Sequence, residues 1–465
     1  MRKLVPLLAL SFFLYGCPRP SQYVRPGLPV PPTWPESSAA GAGARGAPAA
    51  GDLKWQEFFT DQRLQSVIGL ALANNRDLRA ASLNIEKVQA LYRIQRAQPY
   101  PTVIASASGD AYRVPENLSG KDHAETISQY TVGLGTTSWE LDLFGRIRSL
   151  KTQVLEQYLA TDQARSAAQI SLVAAVAGSY LTYAADREGL KLAQDTLDAQ
   201  QASFDLIKRT AELGMASDLD VRQAQSQVEA ARLDIAGFSG QVAQDENALN
   251  LLVGTPVAPG MLADALSKVS DLKEIAAGVP SDVLLRRPDI LAAEHQLMAV
   301  NANIGAARAA FFPRIALTAA LGITSSDLTN LFKPAAGTWN FAPQATLPIF
   351  DYGARRAAYK AATVDRDIAV AEYEKSIQSA FREVSDALSQ RTALANQQQA
   401  LQSLIDALQE TYRLSEARYK GGIDSYLSVL IAQRSVYAAQ QQMVGIRLAR
   451  LSNLVTLYKV LGGGA

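Results

Sequence analysis

Cysteine is almost absent from this chain of 465 residues, and histidine nearly so. One Cys excludes an intrachain disulfide and a cysteine zinc cluster, and two His leave little material for a histidine metal site. No charge sign prevails either. The 45 Lys and Arg stand against 44 Asp and Glu, a net charge of +1, which makes no global case for nucleic acid. Charged residues are 19% of the chain, below the roughly 25% usual for soluble proteins. No run of about 20 apolar residues occurs, which excludes a helical membrane protein of many spans. What the chain has is apolar side chains, 48% in all, enough for extensive packed faces and too many for global disorder. Its length is a prior for about three domains' worth of material.

Residues 1–16 read as a signal peptide: Arg2 and Lys3, an apolar run from Leu4 to Tyr15, then a small residue before Cys17. Leu14-Tyr15-Gly16-Cys17 resembles a bacterial lipobox, in which the Cys thiol is lipidated, although Tyr15 departs from the small residue usual there. An ordinary secretory signal that happens to contain a Cys is the alternative. The expectation is an exported lipoprotein of the bacterial envelope, carrying lipid such as palmitate at Cys17, since each buried CH₂ adds roughly 0.8 kcal/mol to anchoring. Residues 17–52 are rich in Pro, Ala and Gly and form an extended leader. Within them Gly41-Ala42-Gly43-Ala44-Arg45-Gly46 formally fits a dinucleotide fingerprint, but no strand precedes it.

The rest of the chain is one unit used twice. Asp77-Leu78, Ile85 and Pro101 recur 212 residues later as Asp289-Ile290, Leu297 and Pro313. Farther on the offset is 208, as Gly145 to Gly353, Gly214 to Gly422 and Gly254 to Gly462. The boundaries follow: a first repeat at 53–254, a linker at 255–281, a second repeat at 282–462 and a tail at 463–465.

The segment where the offset changes reads as strands, with hairpins at about 102–142 and about 314–350. Ile315, Leu317 and Leu321 alternate with small or polar residues, as do Trp339, Phe341 and Leu347. A soluble sandwich would show this pattern, and so would outer-membrane strands with Ile315, Leu317, Leu321, Trp339, Phe341 and Leu347 facing lipid. Elsewhere the pattern is helical. Arg146–Leu213 and Ala354–Lys420 contain no Pro, each about 67 residues and roughly 100 Å long. Leu190, Ala193, Leu197, Gln200, Phe204, Ile207 and Ala211 follow a heptad seam; Val221, Val228, Ile235, Val242 and Leu249 recur every seven residues. Shorter helices are expected at about Arg63–Gln98 and Asp218–Val253.

Four strands per chain cannot close a barrel, and open edges are not tolerated in hydrocarbon. Chains must therefore share one barrel, of 8 strands in a dimer or 12 in a trimer, with the helices extending it as a tube.

Taken in order, several motifs resemble one family. They are Tyr23-Val24-Arg25-Pro26, Trp34-Pro35, Trp55 with Phe58-Phe59, and Asn74-Asn75-Arg76-Asp77-Leu78. Trp139-Glu140-Leu141-Asp142-Leu143-Phe144-Gly145-Arg146 follows, then Arg286-Arg287-Pro288-Asp289-Ile290, Ile304-Gly305, Phe311-Phe312-Pro313 and Leu347-Pro348-Ile349-Phe350-Asp351. The chain resembles the TolC-like outer-membrane factors, in particular their OprM-like lipoprotein branch. The resemblance implies an α+β membrane protein: a homotrimer sharing a 12-stranded outer-membrane β-barrel, continued by a coiled-coil α-helical barrel in the periplasm and closed at its far tip. It also implies a passive, gated outer-membrane channel that exports drugs or other small toxic molecules, a role in multidrug resistance. Its partners would be outer-membrane lipids, a periplasmic adaptor and an inner-membrane resistance-nodulation-division pump, with no nucleic acid and no cofactor.

The helix turns are the candidate sites. Leu213, Gly214, Met215, Ala216 and Ser217 make the first, and Gly421, Gly422, Ile423 and Ser425 the second. Gly stops a helix and Ser starts the next, as in any αα-hairpin; the resemblance adds adaptor docking. By the same resemblance Arg418, Tyr419 and Asp424 hold the gate closed through bonds between helices, although an Arg near a helix end also compensates the dipole. Ile431 stands where many relatives carry an acidic residue, so a constriction there would be apolar. Asp218 and Asp220 serve either as caps or as acidic tip charge. No catalytic or metal set emerges, so an enzyme is not expected: His123 lies in a polar loop and His295 reads as an exposed helix residue. The alternatives are a duct for type I protein secretion and a coiled-coil scaffold lipoprotein.

Overall fold

The computed structural model describes residues 23–34, 53–275 and 281–463, so Cys17 and the glycine run at 41–46 lie outside the described residues. The main elements, in order, are α1 (Gln62–Asn74), α2 (Arg76–Ala97), β1 (Ile104–Val114), β2 (Glu125–Leu141), α3 (Arg146–Glu212) and α4 (Asp218–Val253). They are followed by α5 (Pro288–Ala309), β3 (Arg314–Ser325), β4 (Gly337–Thr346), α6 (Ala354–Lys420) and α7 (Tyr426–Val460). Both ends of α5 lie 212 residues beyond those of α2, and both ends of α6 lie 208 beyond those of α3.

Contacts divide the chain into two compact units, and each draws on both halves of the sequence. One comprises residues 23–26, 85–161 and 293–373 and contains the whole sheet. The other comprises residues 27–34, 53–84, 162–275, 281–292 and 374–463 and is mainly helical.

In the helical unit the heptad positions go inward. Ala193, Gln200 and Ile207 of α3 are buried, as are Ala224, Val228, Ala231 and Leu249 of α4. An apolar window of α3 is long enough to cross a membrane, but half of it is buried in this way, as in any core helix. Aromatic stacking adds to this core: Phe58 lies 4.1 Å from the Tyr458 ring and parallel to it, while Trp34 stacks on Phe381 at 4.6 Å. Arg287 is held nearly buried by Asp289, Glu383 and the Val460 carbonyl.

One expectation needs correcting. The helix read over Arg63–Gln98 is two helices, because Asn75 takes an extended conformation between α1 and α2. Its Oδ1 accepts from the Leu78 N–H at 2.8 Å, capping α2, and its amide donates to the Leu252 carbonyl at 2.8 Å. Short side chains of this kind offer the backbone an alternative to the helix. The end of α4 packs against this break: Gly254 has φ +79°, and a Cβ there would stand 2.5 Å from the Asn74 carbonyl oxygen. Gly254→Ala is expected to cost about 1–2 kcal/mol for the left-handed backbone alone, and more once the Asn74 carbonyl is displaced. Thermal melts should show a lower midpoint; an unchanged one would mean that the junction is not as tight as described.

The sheet unit is a meander of order β1-β2-β3-β4, antiparallel throughout, with β1 and β4 as its outer strands. Leu321 pairs with Trp339 and Ala319 with Phe341, while Ile315 and Leu317 pair with Ala345 and Pro343. Residues in register share a face, so these apolar side chains stand together with Val132, Leu134 and Trp139 of β2. The opposite face carries Ser108, Thr131, Thr324 and Asn340, with the Thr131 and Thr324 hydroxyls 3.1 Å apart. Leu347 lies one residue beyond β4. Each strand-to-helix turn has an Asp that caps the helix: Asp142 accepts from the Ile147 and Arg148 N–H groups, and Asp351 from those of Gly353 and Arg355.

Candidate functional site

The two turns between long helices close with the same backbone geometry. After α3, Gly214 N–H donates to the Ala211 carbonyl and Met215 N–H to that of Thr210. After α6, Gly422 N–H donates to the Tyr419 carbonyl and Ile423 N–H to that of Arg418. This is the Schellman pair of bonds, which needs a left-handed residue; Gly214 and Gly422 supply it at φ 75° and 69°. Leu213, Met215 and Ile423 are left exposed, and Ala216 packs inward.

The helix starts differ. Ser217 forms a reciprocal capping box with Asp220, so Asp220 is engaged as a cap, whereas Asp218 simply lies in the first turn of α4. Ser425 makes no such side-chain bond. In the second turn the acidic residue is drawn to Arg418 instead. Arg418 Nε donates to Asp424 Oδ2 at 2.5 Å and Nη2 to Oδ1 at 3.1 Å, a bidentate bridge six residues long. Each partner shifts the other toward its charged form: the Asp424 carboxyl lies below, and the Arg418 guanidinium above, its ordinary value.

Behind the bridge lies an aromatic and aliphatic cluster. Tyr426, Val429 and Leu430 pack with Ile207 and Ala224, flanked by Phe204, Tyr412 and Tyr419. The Tyr419 ring is tilted 57° against Tyr426 at 5.4 Å. Burial pushes the Tyr426 hydroxyl up to about 12. The structure thus joins Arg418 to Asp424 and seats Tyr419 in the cluster. Ile431 stands apart on α7, 56% exposed. Leu219 and Leu427, which occupy corresponding places in the two repeats, are exposed beside these turns. Both follow their turn glycine, Gly214 or Gly422, by five residues, a spacing in the sequence that could have flagged them.

Tyr23 and Arg25 of the leader motif close on Glu294 of α5, a residue only 3% exposed. Arg25 binds both carboxylate oxygens at 2.6 Å, and the Tyr23 hydroxyl donates to Oε1 at 2.9 Å. His295 corrects an expectation: it is half-buried, with Nδ1 2.7 Å from Glu156 Oε2, because α3 covers that face of α5. His123 is exposed in the loop after β1. Among the described residues no three His, Cys, Asp or Glu side chains gather as a metal site.

Comparison with known proteins gives a consistent result. The chain matches the outer membrane efflux protein family over residues 67–255 and 279–463. It is 48% identical to the toluene efflux pump outer membrane protein TtgC of Pseudomonas putida over 464 residues, covering 100% of this chain and 96% of that one. The antibiotic efflux pump outer membrane protein ArpC of the same species matches with the same identity and coverage, 48%, 100% and 96%. Among solved structures, the open-state MtrE outer membrane channel of Neisseria gonorrhoeae superposes with a TM-score of 0.87 at 38% identity, over 95% of this chain and 97% of that one.

Proposed function

Because the chain belongs to the outer membrane efflux protein family, we propose that it is the outer-membrane channel of a tripartite efflux pump, a passive gated duct exporting drugs or other small toxic molecules. The observation that carries this reading is a four-stranded sheet that is apolar on one face and polar on the other, with two open edges. Three copies supply twelve strands and leave no edge in the hydrocarbon. Exposed leucines in the helical unit, such as Leu206, Leu233 and Leu251, offer further surface to neighbouring copies. A coiled-coil scaffold gives the sheet no task, and relatives named for toluene and antibiotic efflux favour small molecules over secreted proteins.

The exposed turns around Leu213, Met215 and Ile423 are the docking surface for a periplasmic adaptor, which links the duct to an inner-membrane resistance-nodulation-division pump. Lipid on Cys17 anchors the leader in the outer membrane. The test is deletion in the native cell after labelling with palmitate. The chain is expected in the outer-membrane fraction, labelled, and its loss should lower tolerance to toluene and to several antibiotics by several-fold. Unchanged tolerance, with no second duct compensating, would sink the efflux reading; an unlabelled chain would sink the anchor alone.

A further inference from the structure

One irregularity keeps the two faces of the sheet in phase. Thr136 of β2 pairs with Ala319, yet Trp139 pairs with Leu317, so β2 holds one residue more than β3 over this stretch. Ser138 absorbs it at φ 54°, its N–H donating to Thr318 Oγ1 at 3.1 Å. An extra residue reverses the alternation of its strand. Before it, Val132 and Leu134 take the apolar face opposite Ile323 and Leu321. After it, Trp139 and Leu141 take that face, and Glu140 turns to the polar one opposite Ala316. Without the bulge Glu140 would point to the apolar side.

On the polar face Glu140 meets two guanidinium groups. Arg146, which opens α3, binds both its oxygens at 2.8 and 2.7 Å. Arg314, which opens β3, reaches Oε2 at 2.7 Å and is still 60% exposed along its side chain. Two positive groups against one carboxylate leave an excess of one positive charge. The carboxylates nearby do not cancel it, since Asp142 is engaged by Arg148 at 3.3 Å and Asp351 by Arg355 at 2.6 Å. Asp110 and Glu125, on the same face, lie at the other end of the strands, and Glu125 is paired with Lys121 at 2.8 Å. The cluster borders a cavity of about 350 Å³ beside the stacked rings of Phe144 and Phe312.

We propose that Arg314, with Arg146 and the bulge-directed Glu140, makes the sheet's pore-lining face a station that favours small anions and anionic solutes. This rests on the reading above, in which polar faces from three chains line one duct. Repeated around a duct with low-dielectric walls, the excess charge focuses the local potential and raises the concentration of permeant anions.

The experiment is reversal potential under a KCl gradient in planar bilayers, with the purified full chain and two variants. Arg314→Gln leaves the Arg146–Glu140 bonds in place and should lower the Cl⁻/K⁺ permeability ratio by roughly twofold or more. Glu140→Gln should move the ratio the other way. Opposite displacements support the proposal. Conducting channels whose reversal potentials all match would overturn it while leaving the duct intact. Folded, inserted protein that stays silent even with Arg418→Ala added to release the tip would overturn the duct and this proposal together.

Discussion

Replacing Trp339 and Phe341 together by arginine is expected to abolish assembly in the outer membrane. Both side chains lie on the apolar face of β4, Trp339 opposite Leu321 and Phe341 opposite Ala319, and both are exposed, Trp339 at 78%. An arginine on the lipid face of a barrel costs about 2–4 kcal/mol near the bilayer midplane and about 0–1 near its edges. Phe341 is central in Gly337–Thr346 and Trp339 nearer one end, so the pair should cost roughly 2–5 kcal/mol per chain. Three copies share one barrel in the proposed assembly, so the penalty is paid three times over. The register supplies the control: Asn340 sits between them on the polar face, opposite Ala320, and Asn340→Arg should insert. Membrane fractionation and heat-resistant oligomer on gels would read both. Normal assembly of the double variant would mean that this face does not meet lipid.

Arg418→Ala is expected to raise single-channel conductance several-fold in planar bilayers. The bidentate bridge from Arg418 to Asp424 holds the second turn against the end of α6, directly before the cluster around Tyr426. The bridge is exposed, and exposed ion pairs add little to stability, so the folded state should be kept while the turn gains freedom. Arg418→Lys, which keeps the charge but not the fork, should fall between the two. Asp424→Ala should reproduce the alanine effect, because either change breaks the same pair. Wild-type conductance in both alanine variants, with the protein inserted, would leave Arg418 with only its helix-end role.

These two predictions differ in how far the sequence leads toward them. The alternation over 315–349 reveals an apolar face on its own, since a strand's period of two is a local property. Arg418 and Asp424 are close in sequence, but only the Schellman turn at Gly422 brings the guanidinium fork around to both carboxylate oxygens. Sequence alone left open whether that arginine answers the helix dipole or a partner. The break at Asn75 escaped because an Asn inside an apolar-periodic stretch is neutral until its amide finds a distant carbonyl, here that of Leu252. His295 reads as exposed from the sequence for a related reason: its partner Glu156 lies 139 residues away.

By itself the sequence determined the doubling of the unit, the long helices with their heptad seams, the glycine turns and the existence of four strands. All of these follow from spacing along the chain, because period, helix stops and repeat offsets are local or self-referring. The tertiary structure alone decided which strand residues stand opposite one another, that a bulge at Ser138 turns Glu140 toward the polar face, and that Arg146 and Arg314 converge on it. It also drew each compact unit from both halves of the chain. Pairing register and ion-pair geometry depend on segments far apart in sequence. One inserted residue reverses every side chain after it, and no pattern within a single strand reveals which face it will reach.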